Sequence, residues 1–117
     1  DSLNCFTLIL CGEPHLNNTL KKPVHEALRQ RVTVHYNFSG LSDSEVAQYV
    51  LHKIACAGGP SSIIEQAALS AVHSHSQGSP RLVDNLMTNA LTLGAQMEKK
   101  VIDTEVILAS VSSQNLG

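Results

Sequence analysis

"QGSPRLVDNL", residues 77–86, is the stretch on which the fold turns. Gly78 breaks whatever precedes it, Ser79 can cap a helix, and Pro80 suits a first helical turn, where its missing N–H costs nothing. A helix therefore starts at Ser79. Leu82, Val83, Leu86, Ala90, Leu93 and Met97 recur at helical spacing and form its apolar stripe. One residue fits badly. Arg81 stands in the first turn, where free backbone N–H groups and the positive end of the helix dipole favour an anion over a cation.

Working outward, the flanking segments read as helices too. Ser42 and Glu45 have the spacing of a capping box, and Val46, Val50, Ile54 and Ala57 mark one face of the helix that follows. "GGP" at 58–60 stops it. A second helix is expected from about Ile64 to His75, with Leu69 and Val72 inward, and a fourth after Asp103, carrying Ile107, Leu108 and Val111. The N-terminal part has another pattern. "CFTLILC", residues 5–11, is a continuous apolar run, as in a strand buried on both faces. "VTVHYNF", residues 32–38, alternates Val32, Val34, Tyr36 and Phe38 with Thr33, His35 and Asn37, the period of a half-buried strand. Between them, residues 14–31 read as helical in two pieces parted by Pro23. The expected fold is an α/β portion over residues 1–40, with two strands, followed by an all-α portion over 41–117 built as a four-helix bundle. The boundary falls at the "GLS" of residues 40–42.

Composition narrows the function. The chain has 117 residues, 43% hydrophobic and 15% charged, enough for one small aliphatic-cored domain or a lobe of a larger protein. A formal net charge of −2 gives no broad basic face for nucleic acid. No apolar run is long enough for membrane insertion by this segment. Cys5, Cys11 and Cys56 are an odd count without zinc or redox spacing, and Cys5 and Cys11 are expected to be buried small hydrophobes. A reducing, cytoplasmic setting follows, and the sequons at 17–19 and 37–39 are taken as chance matches. The chain opens on Asp1 just before an apolar run and reads as a piece of a longer protein.

No ready-made catalytic constellation is present. The six histidines are scattered, and ordinary surface histidines are the simpler account than a metal site. No Gly-x-Ser-x-Gly elbow occurs, and no glycine is followed by lysine, so the phosphate loop of the nucleoside triphosphatases is missing. Three short stretches remain. "TLILCGEP" (7–14) puts a polar position after an apolar run, "ALRQRVTV" (27–34) places Arg29 and Arg31 before the next segment, and "GSPR" (78–81) sets Arg81 at a helix start. Singly, each has a plain account as solvated surface charge.

In this order they resemble the C-terminal part of an AAA+ ATPase, of the ExeA general-secretion type and the transposition ATPases related to it, over roughly residues 6–111. The resemblance implies the end of the ATPase core over 1–40 and a helical lid over 41–117, turning about a hinge at 39–42. Arg81 matches the sensor 2 arginine, which reaches the γ-phosphate of ATP bound in the same chain. Arg31, with Arg29 second, matches the arginine finger that reaches ATP in a neighbouring subunit of a homo-oligomer. Glu13 falls at the sensor 1 position, where these relatives tend to carry a neutral polar residue, often Gln. Two readings stay open there: the sensor lies elsewhere, or the site is altered. The resemblance implies ATP and Mg2+ as cofactors of the full-length protein, none for these residues alone, and DNA, transposase or secretion components as partners. The competing reading is a non-enzymatic helical interaction or DNA-binding module. A helix-turn-helix could be drawn over 65–97, but its second helix has a single arginine.

Overall fold

The computed structural model describes residues 5–114. Its elements are α1 (His15–Leu20), α2 (Glu26–Arg31), α3 (Asp43–Cys56), α4 (Gln66–Ser76), α5 (Pro80–Gln96) and α6 (Thr104–Gln114), with short 3-10 turns at Pro23–His25 and Ser61–Ile63. The chain divides into two units, Asp1–Phe38 and Ser39–Gly117.

The expected α/β character is not found: every regular element among the described residues is a helix, and neither 5–11 nor 32–38 forms a strand. The reason is physical. A strand is a paired structure whose backbone N–H and C=O groups need a neighbour, and a lone hairpin-sized pair is marginal in water. No other described segment offers a ladder, so neither run is paired in a sheet. The apolar side chains stay outside as well: Phe6 is 80%, Ile9 78%, Val34 82% and Tyr36 79% exposed. Cys5 and Cys11 are exposed too, not buried as small hydrophobes. The alternation of 32–38 nevertheless has a structural counterpart. His35 and Asn37, two apart, both reach Asn17 of α1, with His35 Nε2 3.1 Å from Asn17 Oδ1 and Asn17 Nδ2 donating to Asn37 Oδ1 at 2.9 Å. In the same unit, α1 and α2 are parted by the turn that opens on Pro23.

The second unit, Ser39–Gly117, holds the core. Ser42 caps α3 through a complete capping box: its Oγ accepts from the Glu45 N–H at 3.2 Å, and Glu45 Oε1 accepts from the Ser42 N–H at 2.9 Å. Val46, Val50 and Ile54 then face inward, while Ala57 lies past the helix and is exposed. From α4 come Ala68, Leu69 and Val72, and from α6 Val106 and Ile107, with Leu108 turned outward. Helix α4 packs against α3, α5 and α6, and α5 packs along α6. The loops before α4 and α6 are clasped by two backbone bonds, Ile102 N–H to Ile63 C=O at 2.7 Å and Glu65 N–H to Ile102 C=O at 3.1 Å. Gly94 of α5 allows this clasp to come close, since a Cβ there would lie 2.5 Å from Ile102 Cδ1.

Helix α6 is started by Asp103, whose Oδ1 accepts from the Val106 N–H at 3.1 Å while Oδ2 takes the Lys99 ammonium at 2.9 Å. Lys99 first, and the Val106 amide second, hold the Asp103 carboxyl below its ordinary range. Bonds to Ser42 do the same for Glu45, the backbone N–H more than the hydroxyl. A carboxyl whose folded value is depressed contributes stability above its unfolded value, and that contribution is lost as pH falls through the folded value. Stability should therefore decline on acidification below the usual carboxylate range. The double variant Glu45→Gln, Asp103→Asn keeps hydrogen-bonding caps without the titration and should show a flatter acid limb, read from urea midpoints between neutral pH and about pH 3.

Candidate functional site

The start of α5 is assembled from backbone. Helix α4 ends at Ser76, and Gln77 follows in the left-handed region at φ 55°. Gly78 continues at φ 78°, its N–H donating to Ser76 Oγ at 3.3 Å. Ser79 then caps α5, its Oγ accepting from the Leu82 N–H at 3.5 Å, with Pro80 at the first helical position. Arg81 thus occupies the second position of the helix and is exposed. Among the described residues its guanidinium makes no hydrogen bond or ion pair.

The inward stripe of α5 begins one residue later than its sequence suggests. Val83, Leu86, Met87, Ala90 and Gly94 are buried, whereas Leu82 is 47% exposed and Met97 lies at the helix end, also exposed. Arg81 and Leu82 therefore both stand clear of the core.

This helix start is stitched to the segment that enters α3. The Leu41 N–H donates to the Gly78 C=O at 2.9 Å. Gly40, at φ 100°, comes so near that a Cβ would sit 2.8 Å from the Gln77 carbonyl oxygen. Asp43 Oδ1, in the first turn of α3, lies 3.9 Å from His73 Nδ1 near the end of α4. The N-termini of α3 and α5 and the C-terminus of α4 share one end of the unit. The signal for this seam was two glycines followed by cap residues, "GLS" and "GSP", but nothing local says that the two turns touch.

The other sequence-derived candidates lie in the first unit. Arg31 ends α2 and is exposed, with no side-chain partner among the described residues. Arg29 spends one donor on structure, its Nη1 bonding the Lys21 C=O at the end of α1 at 3.1 Å. Glu13 is exposed and lies 3.5 Å from His15 Nδ1. A carboxylate there is a poor holder of a phosphate oxygen, because both are anionic. The guanidinium groups suit an anion; Glu13 suits a cation.

One feature escaped the sequence altogether. A groove of about 460 Å3 runs between α3 and α5, lined by Tyr49, Lys53, Ile54, Val83, Asp84 and Met87 among others. At its edge Asp84 Oδ1 accepts from the Tyr49 hydroxyl at 2.9 Å and lies 3.2 Å from Lys53 Nζ. The Asp84 bond, then that to Tyr49, hold the Lys53 ammonium above its usual range. Both side chains are largely exposed, so solvent screens the pair and it adds little to stability. It joins residues 31 apart in the chain, a distance that no local pattern spans.

These features define a four-helix unit with an arginine at a helix N-terminus that has no partner among the described residues, preceded in sequence by a segment carrying two more exposed arginines. Among known proteins, the chain is 31% identical over 111 residues to the General secretion pathway protein A of Aeromonas hydrophila. The match takes in 94% of this chain and 20% of that protein, so the chain spans about a fifth of the length of its curated relative. No family model and no solved structure matches it. Among the described residues, no helix is long and apolar enough to cross a membrane.

Proposed function

We propose that these residues are the C-terminal region of an AAA+ ATPase of the general-secretion type, in which 1–40 ends the ATPase core and 41–117 is the helical lid. The full-length protein would bind ATP with Mg2+, and the phosphoryl group transferred to water would supply the energy for remodelling secretion partners. The carrying observation is Arg81: a cation placed against the unfavourable end of the helix dipole, clear of the core and without a partner among the described residues. Such a placement makes sense where an anion is expected, and a guanidinium matches the bidentate geometry of phosphate oxygens. The likeness to a general secretion pathway protein supports the same reading.

Within that reading Arg81 is sensor 2 and donates to the γ-phosphate of its own chain. Arg31 is the finger presented to the nucleotide of a neighbouring subunit in a homo-oligomer, and Arg29, with one donor on the Lys21 carbonyl, is the second candidate for that role. Glu13 is not assigned a phosphate contact. The seam between Gly40–Leu41 and Gln77–Gly78 supports a hinge role for 39–42, since a shift of that segment would be felt at the start of α5. DNA or transposase as a partner rests only on resemblance to the transposition relatives.

The reading makes a direct demand on this chain alone. Lacking a phosphate loop, it should show no ATP hydrolysis and at best weak nucleotide binding. Calorimetric titration with ATP and magnesium checks this, and micromolar binding by these 117 residues would overturn the assignment.

A further inference from the structure

Resting on the sensor reading of Arg81, we infer that Ser76, the last residue of α4, positions that arginine by fixing the turn on which α5 starts. Helix α4 sends Ala68, Leu69 and Val72 into the core, and one turn further along the same face stands Ser76, 1% exposed. A buried hydroxyl is unfavourable unless it is hydrogen-bonded, and alanine fits the same space without that demand. Here the hydroxyl is bonded twice. Ser76 Oγ donates to the His73 C=O at 3.3 Å and accepts from the buried Gly78 N–H at 3.3 Å. The Ser76 C=O accepts in turn from the Ser79 N–H at 3.1 Å.

These bonds hold the backbone that leads into α5. Gln77 at φ 55° and Gly78 at φ 78° are consecutive left-handed residues, and their angles decide where Ser79, the N-cap, falls. Arg81 follows Ser79 by two residues, and Pro80 between them has its φ fixed by its ring. Little freedom remains between the Ser76 hydroxyl and the Arg81 backbone. The Gly78 C=O takes the Leu41 N–H at 2.9 Å, so the turn is gripped by α4 through one peptide group and by the entry to α3 through the other. Without the hydroxyl, the Gly78 N–H loses its partner and the grip from α4 slackens. A paired guanidinium–phosphate contact is directional, so a small displacement of the helix start weakens it.

The competing account is a purely structural cap, which would affect folding and leave the nucleotide untouched. Steady-state ATP turnover, calorimetric affinities for ATP and ADP, and thermal unfolding separate the two, using full-length protein carrying Ser76→Ala, Arg81→Ala or both. Ser76→Ala should lower turnover or ATP affinity per folded molecule by about two- to tenfold, less than Arg81→Ala, because the guanidinium is displaced and not removed. ADP, which has no γ-phosphate, should bind as it does to the parent. In the Arg81→Ala background, Ser76→Ala should lower the melting temperature as before but have no further effect on turnover. Ser76→Cys, of nearly the same size and with a weaker acceptor, should fall between the parent and the alanine variant, and carries the test should that variant not fold. If Arg81→Ala impairs turnover and Ser76→Ala does not, the positioning role is overturned and the sensor reading stands. Equal losses of ATP and ADP affinity, or a further loss of turnover in the Arg81→Ala background, overturn it as well. If Arg81→Ala leaves turnover intact, the sensor reading fails and takes the role of Ser76 with it.

Discussion

On the proposed ATPase reading, replacing Arg81 by alanine in the full-length protein should cut ATP hydrolysis or ATP affinity roughly ten- to a hundred-fold, because a hydrogen bond to a charged group contributes about 1.5–3 kcal/mol. The helical unit should remain folded. Arg81 is exposed, and the buried stripe of α5 starts at Val83. Its cation also opposes the helix dipole, so removing it should leave the melting temperature unchanged or slightly raised, by an effect of about 0.3–1 kcal/mol at most. A loss of turnover without a loss of stability is the signature of an arginine kept for a ligand. Arg31→Ala should differ in kind. A finger acts across a subunit boundary, so mixing Arg31→Ala with a subunit that cannot bind ATP but keeps Arg31 should restore activity. The Arg81 defect should resist that rescue, since its contact lies within one chain. If Arg81→Ala unfolds the lid and spares turnover per folded molecule, the arginine is structural and the sensor reading fails.

What the sequence made legible follows the range of the interaction involved. Ser42 with Glu45, Ser79 with Pro80, and Asp103 all act within one helical turn, and each caps the helix its spacing announces. Strand pairing is non-local. The alternation of Val32, Val34, Tyr36 and Phe38 states which side chains share a face, but a ladder also needs a partner, and none is present among the described residues. The same limit applies to the site. That Arg81 would lie at a helix N-terminus was readable from four letters, "GSPR". That Gly40 and Gly78 would press against each other was not, because the two turns are separated by α3 and α4. The error over Leu82 is smaller and instructive. On a wide amphipathic stripe, the residue at the margin can turn either way, and Met87, which the stripe did not include, takes an inward place.

Gly78→Ala should be the most destabilising of the glycine-to-alanine changes in the four-helix unit. Gly78 sits at φ 78°, a region that costs an alanine about 1–2 kcal/mol. Its Cβ would clash with the Leu41 carbonyl oxygen and lie 2.6 Å from the Leu41 nitrogen. Those are backbone atoms, and the same Leu41 N–H is held by the Gly78 C=O at 2.9 Å, so the clash cannot be relieved by swinging a side chain aside. Overpacking of this kind adds about 1–3 kcal/mol. The total, roughly 2–5 kcal/mol, corresponds to a fall in melting temperature of about 8–40 °C for a domain of this size. Gly58 provides the control. It has φ 84°, almost the same backbone conformation, but nothing lies within 4 Å of its would-be Cβ. Gly58→Ala should therefore suffer the conformational cost alone, about 1–2 kcal/mol. Thermal unfolding of the two variants side by side isolates the seam: the excess loss in Gly78→Ala measures how tightly the entry to α3 is pressed on the start of α5. Equal melting temperatures would mean that the two turns part freely, and the hinge would then have no mechanical route to Arg81.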